Sequence, residues 1–451
     1  AVNAAQGGDT VRIQPGTYSE QILVSGKNNT AAAGEADRIV IEADFLAPPG
    51  GVVIAGSAGG CGGYAMRLKR SKFITIRGLT ITGAGGTAVE LLGGSNQNAA
   101  VRIEQNRIFG NGLGGCNGGV AVGPGNTDTL IVNNLVYGNR KDGISIAPVS
   151  ESDADAVYIV ENTIHANQWN GVDIGSRQRA FLVNNIITGN GAAPGGGGGR
   201  FGVRRQGASG REARIHLVHN LICGNRLGEL DGGLLDPATD AGNLTPGGSE
   251  GPGVGASPGC DLPAAVYANL NGRDGAPNTD DDDFRPAASS PAVDMGTDPR
   301  ALGLNPAFDP LFLADFADGI ARPAGAAGGA VAFDAGAVEI GDLPPKASDT
   351  RAGTTTGAPV SILLQGRDLD NFNFSFVIVD GPGHGSLGPL GAPTVIIIND
   401  FHSNRAGAIR WVAVTYTPAA NYSGPDSFTF KVNDGLYDSN VATVSIAVGA
   451  P

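Results

Sequence analysis

"NRIFGN" at residues 106–111, "NLVYGN" at 134–139, "NTIHAN" at 162–167, "NIITGN" at 185–190 and "NLICGN" at 220–225 are one phrase written five times. The leading residues Asn106, Asn134, Asn162, Asn185 and Asn220 stand 28, 28, 23 and 35 residues apart. Self-similarity at this period belongs to stacked repeats, none of which buries its apolar face alone. Upstream of each copy lies a short alternating run such as "VRIEQ", "VYIVE" or "FLVN". Downstream of several come a glycine and a further run: "GVAV" at 119–122, "GISI" at 143–146, "GVDI" at 171–174. Alternation over four or five residues, rich in Val and Ile, is the period of a strand. One repeat therefore reads as three short strands joined by corners. Equivalent strands of successive repeats would pair in parallel about 4.8 Å apart, which is a parallel β-helix.

In that arrangement Ile108, Val136, Ile164, Ile187 and either Leu221 or Ile222 form an inward column. The phrase-initial asparagines form one ladder, and Asn111, Asn139, Asn167, Asn190 and Asn225 a second, each passing amide hydrogen bonds between coils. Asn also tolerates the left-handed backbone of a corner. "GLTITG" at 78–83 reads as a degenerate copy, 28 residues before Asn106, with glycines in place of both asparagines. Asn98 lies outside the phrase and is expected to be exposed and dispensable. His165 aligns with Phe109 and Tyr137, which predicts packing between coils rather than a catalytic row.

The chain has 451 residues and 73 glycines, with no G-X-Y period, so glycine serves corners rather than a collagen helix. A net charge of −13 argues against a general nucleic-acid binder. No stretch has the length of a membrane span. The four cysteines, Cys61, Cys116, Cys223 and Cys260, form no C-x-x-C pair. Their even number favours disulfides and an oxidising compartment. Cys61–Cys116 is the favoured pair because "GGCGG" and "GGCNGG" are similar loops expected on nearby coils, which leaves Cys223–Cys260. Four free buried thiols are the alternative.

Coil patterning is clear from about residue 9 to 225 and fades over 226–340. Two prolines mark a linker at 341–349. From 350 to 451 the runs are longer ("PVSILLQGRD", "IRWVAVTYTP", "DSFTFKVNDG"), with turn signals between them, as in a β-sandwich. The opening "AVNAAQGGDTVRIQPGTY" resembles the first coil of secreted right-handed parallel β-helix proteins of the pectate-lyase-like superfamily. In those proteins a helix caps the coil, and the resemblance implies that residue 1 lies inside it. "DFRPAASSPAVDMG" and "DAGAVE" resemble the closing segment of β-helix proteins of the choice-of-anchor Q type. "VTYTPAANYSGPDSFTFKVNDG" is similar to bacterial Ig-like and cadherin-like surface modules. The expected fold is thus all-β: a parallel β-helix over 1–340, then an Ig-like β-sandwich over 350–451. The resemblance implies a secreted bacterial surface protein of structural or adhesive role.

The middle residue of each run after a corner glycine should point outward, giving a column of Glu90, Ala121, Ser145, Asp173 and Arg204. Trp169 beside it suits stacking on a sugar ring, and Arg204 and Arg205 suit pairing with uronate carboxylates. Lys141 or Arg204 is the candidate base of a polysaccharide lyase, and Asp142 with Asp173 the carboxylate pair of a hydrolase. The lyase signatures W-x-D-H and R-x-P-x-x-R are absent, as is D-P-H-D. The competing reading is a solvated face with Asp173–Arg204 as an ion pair between coils, worth little. Asp274, Asp280 and Asp282, with Asn278, Asp281 and Asp283 nearby, offer many oxygen donors in one turn, which suits Ca²⁺. The spacing is not that of an EF-hand. Expected partners are an anionic polysaccharide or copies of the chain itself, stacked end to end into a filament.

Overall fold

The fold is described from a computed structural model. It describes residues 1–449 except 45–50, 117, 150–155, 192–199, 208–210, 232–239, 248–253, 258, 261, 272–275, 280–281, 288, 314–321, 323–332, 339–344, 369–372, 401–404 and 436. The chain divides into two compact units, Ala1–Gly341 and Asp342–Pro451.

In the first unit each coil contributes one strand to each of three parallel sheets. The first sheet runs from Thr10–Ile13 to Arg214–Val218 and the third from Ile22–Ser25 to Gly228–Leu230, each with eight strands. The second has ten strands, from Gly16–Tyr18 to Val254–Ala256. The coil therefore continues past residue 225 by two strands of the second sheet, Asn243–Thr245 and Val254–Ala256. Before its first strand the chain forms a short 3-10 turn, Val2–Ala4.

Register places Ile108, Val136, Ile164, Ile187 and Ile222 in one column, and all five lie in the fully buried core. The inward residue of the last copy is thus Ile222. Leu221 faces out, packed beside Cys260 and Phe284.

Both ladders form. Asn106 N and Nδ2 donate to Asn134 Oδ1, at 2.9 and 3.1 Å. The same pair of bonds recurs from Asn134 to Asn162, Asn162 to Asn185 and Asn185 to Asn220. It extends one coil further, to Asn243. The second ladder ends on Glu229, whose Oε2 accepts from Asn225 N and Nδ2.

Three expectations are corrected. The degenerate copy is offset by 27 residues, not 28: Leu79 N donates to Asn106 Oδ1 and Ala84 N to Asn111 Oδ1, so the matching phrase is "LTITGA". Asn98 is 2% exposed and belongs to a third ladder, accepting from Ser71 N and donating to Asn126 Oδ1. The ladder asparagines do not take the left-handed backbone. The residue before each one does: Gln105, Asn133, Glu161, Asn184 and His219 at one corner, Gly110, Gly138, Ala166, Gly189 and Gly224 at the other.

Ala166, at φ +50°, is the only non-glycine at its corner among these five coils. Its Cβ opposes the left-handed conformation. Ala166→Gly is therefore expected to raise stability by about 0.5–1 kcal/mol, after the greater freedom of unfolded glycine is subtracted. A fall in melting temperature would overturn this.

The segment after the coil covers two sheets from outside. Val266, Tyr267, Phe284, Ala335 and Ala337 pack on Leu135, Tyr137, Ile186 and Leu221 of the second sheet. Leu304, Phe308 and Phe312 pack on Leu130, Val132, Val160 and Val183 of the first. Polar bonds fix the cover: Thr297 N donates to Asn184 Oδ1 at 2.9 Å and Ala337 N to Thr163 Oγ1 at 3.1 Å. The fully buried Arg322 donates to the carbonyls of Asp334 and Gly336, with its Nε 3.8 Å from Glu161. Both disulfides form, Cys61–Cys116 between the two glycine-rich loops and Cys223–Cys260 between coil and cover.

The second unit is a sandwich. One sheet contains Lys346–Ser348, Val360–Asp368, Arg405–Pro418 and Gly385–Leu387, with Thr394–Asp400 also paired to Arg405–Pro418. The other orders Thr350–Thr355, Ala442–Gly449, Gly424–Asn433 and Ser375–Asp380. Strict alternation of buried and exposed residues along Ala442–Gly449 marks a sheet with one face on the core. That core centres on Leu364, Val414, Tyr416, Phe428, Phe430 and Val444.

Candidate glycan-binding face

Among the described residues, the covering contacts fall on the first two sheets and not on the outer side of the third. Its middle positions run in register Arg67, Glu90, Ala121, Ser145, Asp173, Arg204. They point outward because their neighbours, such as Val89 and Leu91 or Ile144 and Ile146, fill the core. The corner glycines bring each strand close to the second ladder. A Cβ on Gly171 would meet Ile187 Cγ2 at 2.6 Å and Asn190 Nδ2 at 2.9 Å.

Arg67 pairs with Glu90, and its guanidinium carbon lies 3.9 Å from the ring centre of Tyr64. Lys141 Nζ sits 3.4 Å from the ring centre of Trp169. One face of that indole thus carries an ammonium. Arg205 pairs in register with Ile174 and is half-buried.

Asp173 is 8% exposed. Its Oδ2 accepts from Gln206 Nε2 at 2.7 Å and lies 3.5 Å from Arg204 Nη1. Its Oδ1 is buried and has no hydrogen-bond partner among the described residues. Burial first, and then the nearby Asp142 carboxylate, push its pKa up to about 6, against the opposing pull of Arg204 and Gln206. Asp142 has a structural bond to make: its Oδ1 accepts from Asn170 N and Nδ2, at 3.0 and 2.8 Å. Asn170 Oδ1 in turn accepts from Phe201 N. Burial raises the Asp142 pKa, and the two Asn170 bonds oppose that rise.

The structure thus brings Asp142, Asp173 and Arg204 into one electrostatic group, with the Lys141–Trp169 pair formed beside Asp142. Tyr64, Arg67 and Gln206 were missed from the sequence. Reading the outward column one coil earlier, through "YAMRLK", reaches Arg67; Tyr64 is off that column. Gln206 lies beyond its strand and has no such signal.

Of the three acidic candidates for Ca²⁺, Asp274 and Asp280 lie outside the described residues. The third, Asp282, accepts from Asn278 N and Thr279 Oγ1, and burial pushes its pKa up to about 6. Asp283 makes a two-point pair with Arg285. His165 is buried against Tyr267 and Phe284, with Nδ1 2.9 Å from Thr188 Oγ1. Its pKa is lowered to about 4 by burial, so the ring is neutral at pH 7.

Residues 50–207 match the family model of the right-handed β-helix region, and residues 342–447 that of the bacterial Ig domain. The chain carries a right-handed β-helix region followed by a bacterial Ig domain. The observed coil of the β-helix region extends beyond the matched residues at both ends. No curated protein matches the chain. Among solved structures it is similar to the Dettilon tailspike protein, at 11% identity over 91% of this chain and 87% of that one, with a TM-score of 0.32. It is also similar to the seventh ScaB type I cohesin from Pseudobacteroides cellulosolvens, at 8% identity over 24% of this chain and 95% of that one, with a TM-score of 0.15. Neither likeness is close enough to inform function. No described helix is long and apolar enough to cross a membrane.

Proposed function

We propose that this is an extracellular surface protein whose β-helix presents the outer face of its third sheet to an anionic polysaccharide. One observation carries the reading. Described residues of the post-coil segment pack on the first and second sheets, while the third carries Arg67 and Arg204 at its outward positions, with the Lys141–Trp169 pair in the corner loops that lead into its strands. Guanidinium groups beside aromatic rings suit uronate carboxylates and pyranose faces. The two disulfides accord with an oxidising compartment.

Binding of polygalacturonate should weaken as salt rises, because exposed charge pairs are screened over about 8 Å at physiological ionic strength. Arg67→Ala with Arg204→Ala should remove most of the salt-sensitive part, and Trp169→Ala the remainder. Absence of affinity at low salt, or affinity unchanged in the triple variant, would sink this reading.

A second reading, an enzyme acting on the same glycan, rests on Asp173. A carboxyl group titrating near pH 6 with an unpaired oxygen suits proton transfer. A polyuronate panel separates the outcomes. Ultraviolet absorbance of a new double bond marks a lyase, new reducing ends without it mark a hydrolase, and neither leaves a binding scaffold.

A further inference from the structure

The Ig domain holds a cleft of about 500 Å³ whose walls include Phe374, Phe376, Leu390, Val412 and Arg410. It opens between the edge strand Ser375–Asp380 and Arg405–Pro418 of the opposite sheet. Its size is that of a small-molecule site, mostly apolar with a few polar groups. Local sequence builds it. At Gly366 a Cβ would lie 2.8 Å from Val432 Cγ1 and 2.9 Å from Phe374 Cε2, so glycine there makes room for the Phe374 ring.

Arg410 is the unusual wall residue. Its Nη1 donates to the Phe374 carbonyl at 2.6 Å, and its guanidinium carbon lies 5.4 Å from the Phe374 ring centre. Backbone and ring together hold the group in place. A guanidinium has five N–H donors, and that carbonyl is the one acceptor its side chain has among the described residues. Nε is buried and has no acceptor among the described residues, a costly state for a charged donor. Of the other polar groups on the wall, Asp434 brings a carboxylate whose Oδ1 accepts from Tyr437 N, and Ser375 and Asn433 bond within the domain. Ser375 Oγ donates to Asn433 O. Asn433 Nδ2 donates to Asp438, and Asn433 Oδ1 accepts from Gly435 N.

We propose that this cleft binds a small carboxylate with an apolar body, the carboxylate on Arg410 and the body against Phe374, Phe376, Leu390 and Val412. An arginine fork matches a carboxylate in geometry and charge. Apolar walls with few uncommitted acceptors disfavour a polyhydroxylated sugar, whose hydroxyls would lose water without replacement. The site is therefore separate from the polysaccharide face of the β-helix and does not depend on it.

The test uses the full chain with 4-phenylbutyrate and its neutral amide, titrated by ligand-observed NMR. The acid should bind at least about tenfold more tightly than the amide. Arg410→Gln should abolish that preference. Arg410→Lys, which keeps the charge but not the fork, should weaken acid binding by about fivefold or more. Acid and amide binding equally, or no saturable acid binding below about 10 mM, would overturn the proposal. So would acid affinity unchanged in a folded Arg410 variant. The comparison of acid with amide on the unaltered protein decides the matter even if the variants fail to fold.

Discussion

Asn162→Leu is expected to cost about 3–5 kcal/mol, several buried polar groups losing partners at once. Asn162 donates through N to Asn185, and through Nδ2 to Asn185 and to the carbonyls of Ile131 and Val160. Its Oδ1 accepts from Asn134 N and Nδ2. Leucine fills similar space but leaves Asn134 N, Ile131 O and Asn185 Oδ1 short of partners where water does not reach. Each coil of a solenoid is stabilised by its two neighbours, so a break at the middle of the ladder weakens two interfaces. The comparison is Asn29→Leu, at an exposed residue, which should change stability by less than about 0.5 kcal/mol. Asn98→Leu should resemble the ladder variant, since Asn98 is buried in its own ladder. Equal melting-temperature losses at Asn162 and Asn29 would show that the amide columns do not hold the coils.

Cys223→Ala with Cys260→Ala should destabilise the β-helix unit by about 3–4 kcal/mol, from the chain entropy of a closed loop of this length. The two residues are 37 apart and both buried. The bond ties the second sheet to the segment covering it, so the loss should appear first there. Amide exchange should speed up around Tyr267 and Phe284, which pack on Tyr137 and His165, before it changes along the third sheet. Cys61→Ala with Cys116→Ala, in the exposed glycine-rich loops, should leave exchange at Tyr267 and Phe284 unaltered. Uniform acceleration across all three sheets in the Cys223–Cys260 variant would refute a local anchoring role.

The coil was legible in the sequence because its repeating contacts come from equivalent positions in successive copies. A residue's neighbour above and below is its counterpart 23 to 35 positions away, so strand period, inward column and both ladders show as repetition in the text. Handedness of the corner backbone was assigned one residue late. "GN" places a left-handed residue and a ladder residue side by side, and only backbone torsions separate Gly110 or Gly138 from the asparagine that follows. The wrong reading of Asn98 has a similar cause: a ladder of Ser71, Asn98 and Asn126 has no repeated phrase to announce it.

By itself the sequence determined the all-β class, the parallel stacking, the inward isoleucines and the asparagine columns, because these rest on short-period patterns. Tertiary structure decided which outer faces the described residues after the coil cover. The segment after the coil has no period, yet Phe284, Tyr267, Phe308 and Phe312 bury the first two sheets. Its trace in the sequence is indirect: "TLIV", "LVY" and "LIC" are apolar on both faces, whereas "ISI" and "VDI" keep a polar residue outward. Strands buried on both sides lose their alternation, but nothing in them names the distant residues that do the burying. The same holds for Asp173, where alternation put a carboxylate outward. Its burial, and a pKa raised to about 6 by that burial and by Asp142 against the pull of Arg204 and Gln206, depend on neighbours that only the wound coil brings beside it.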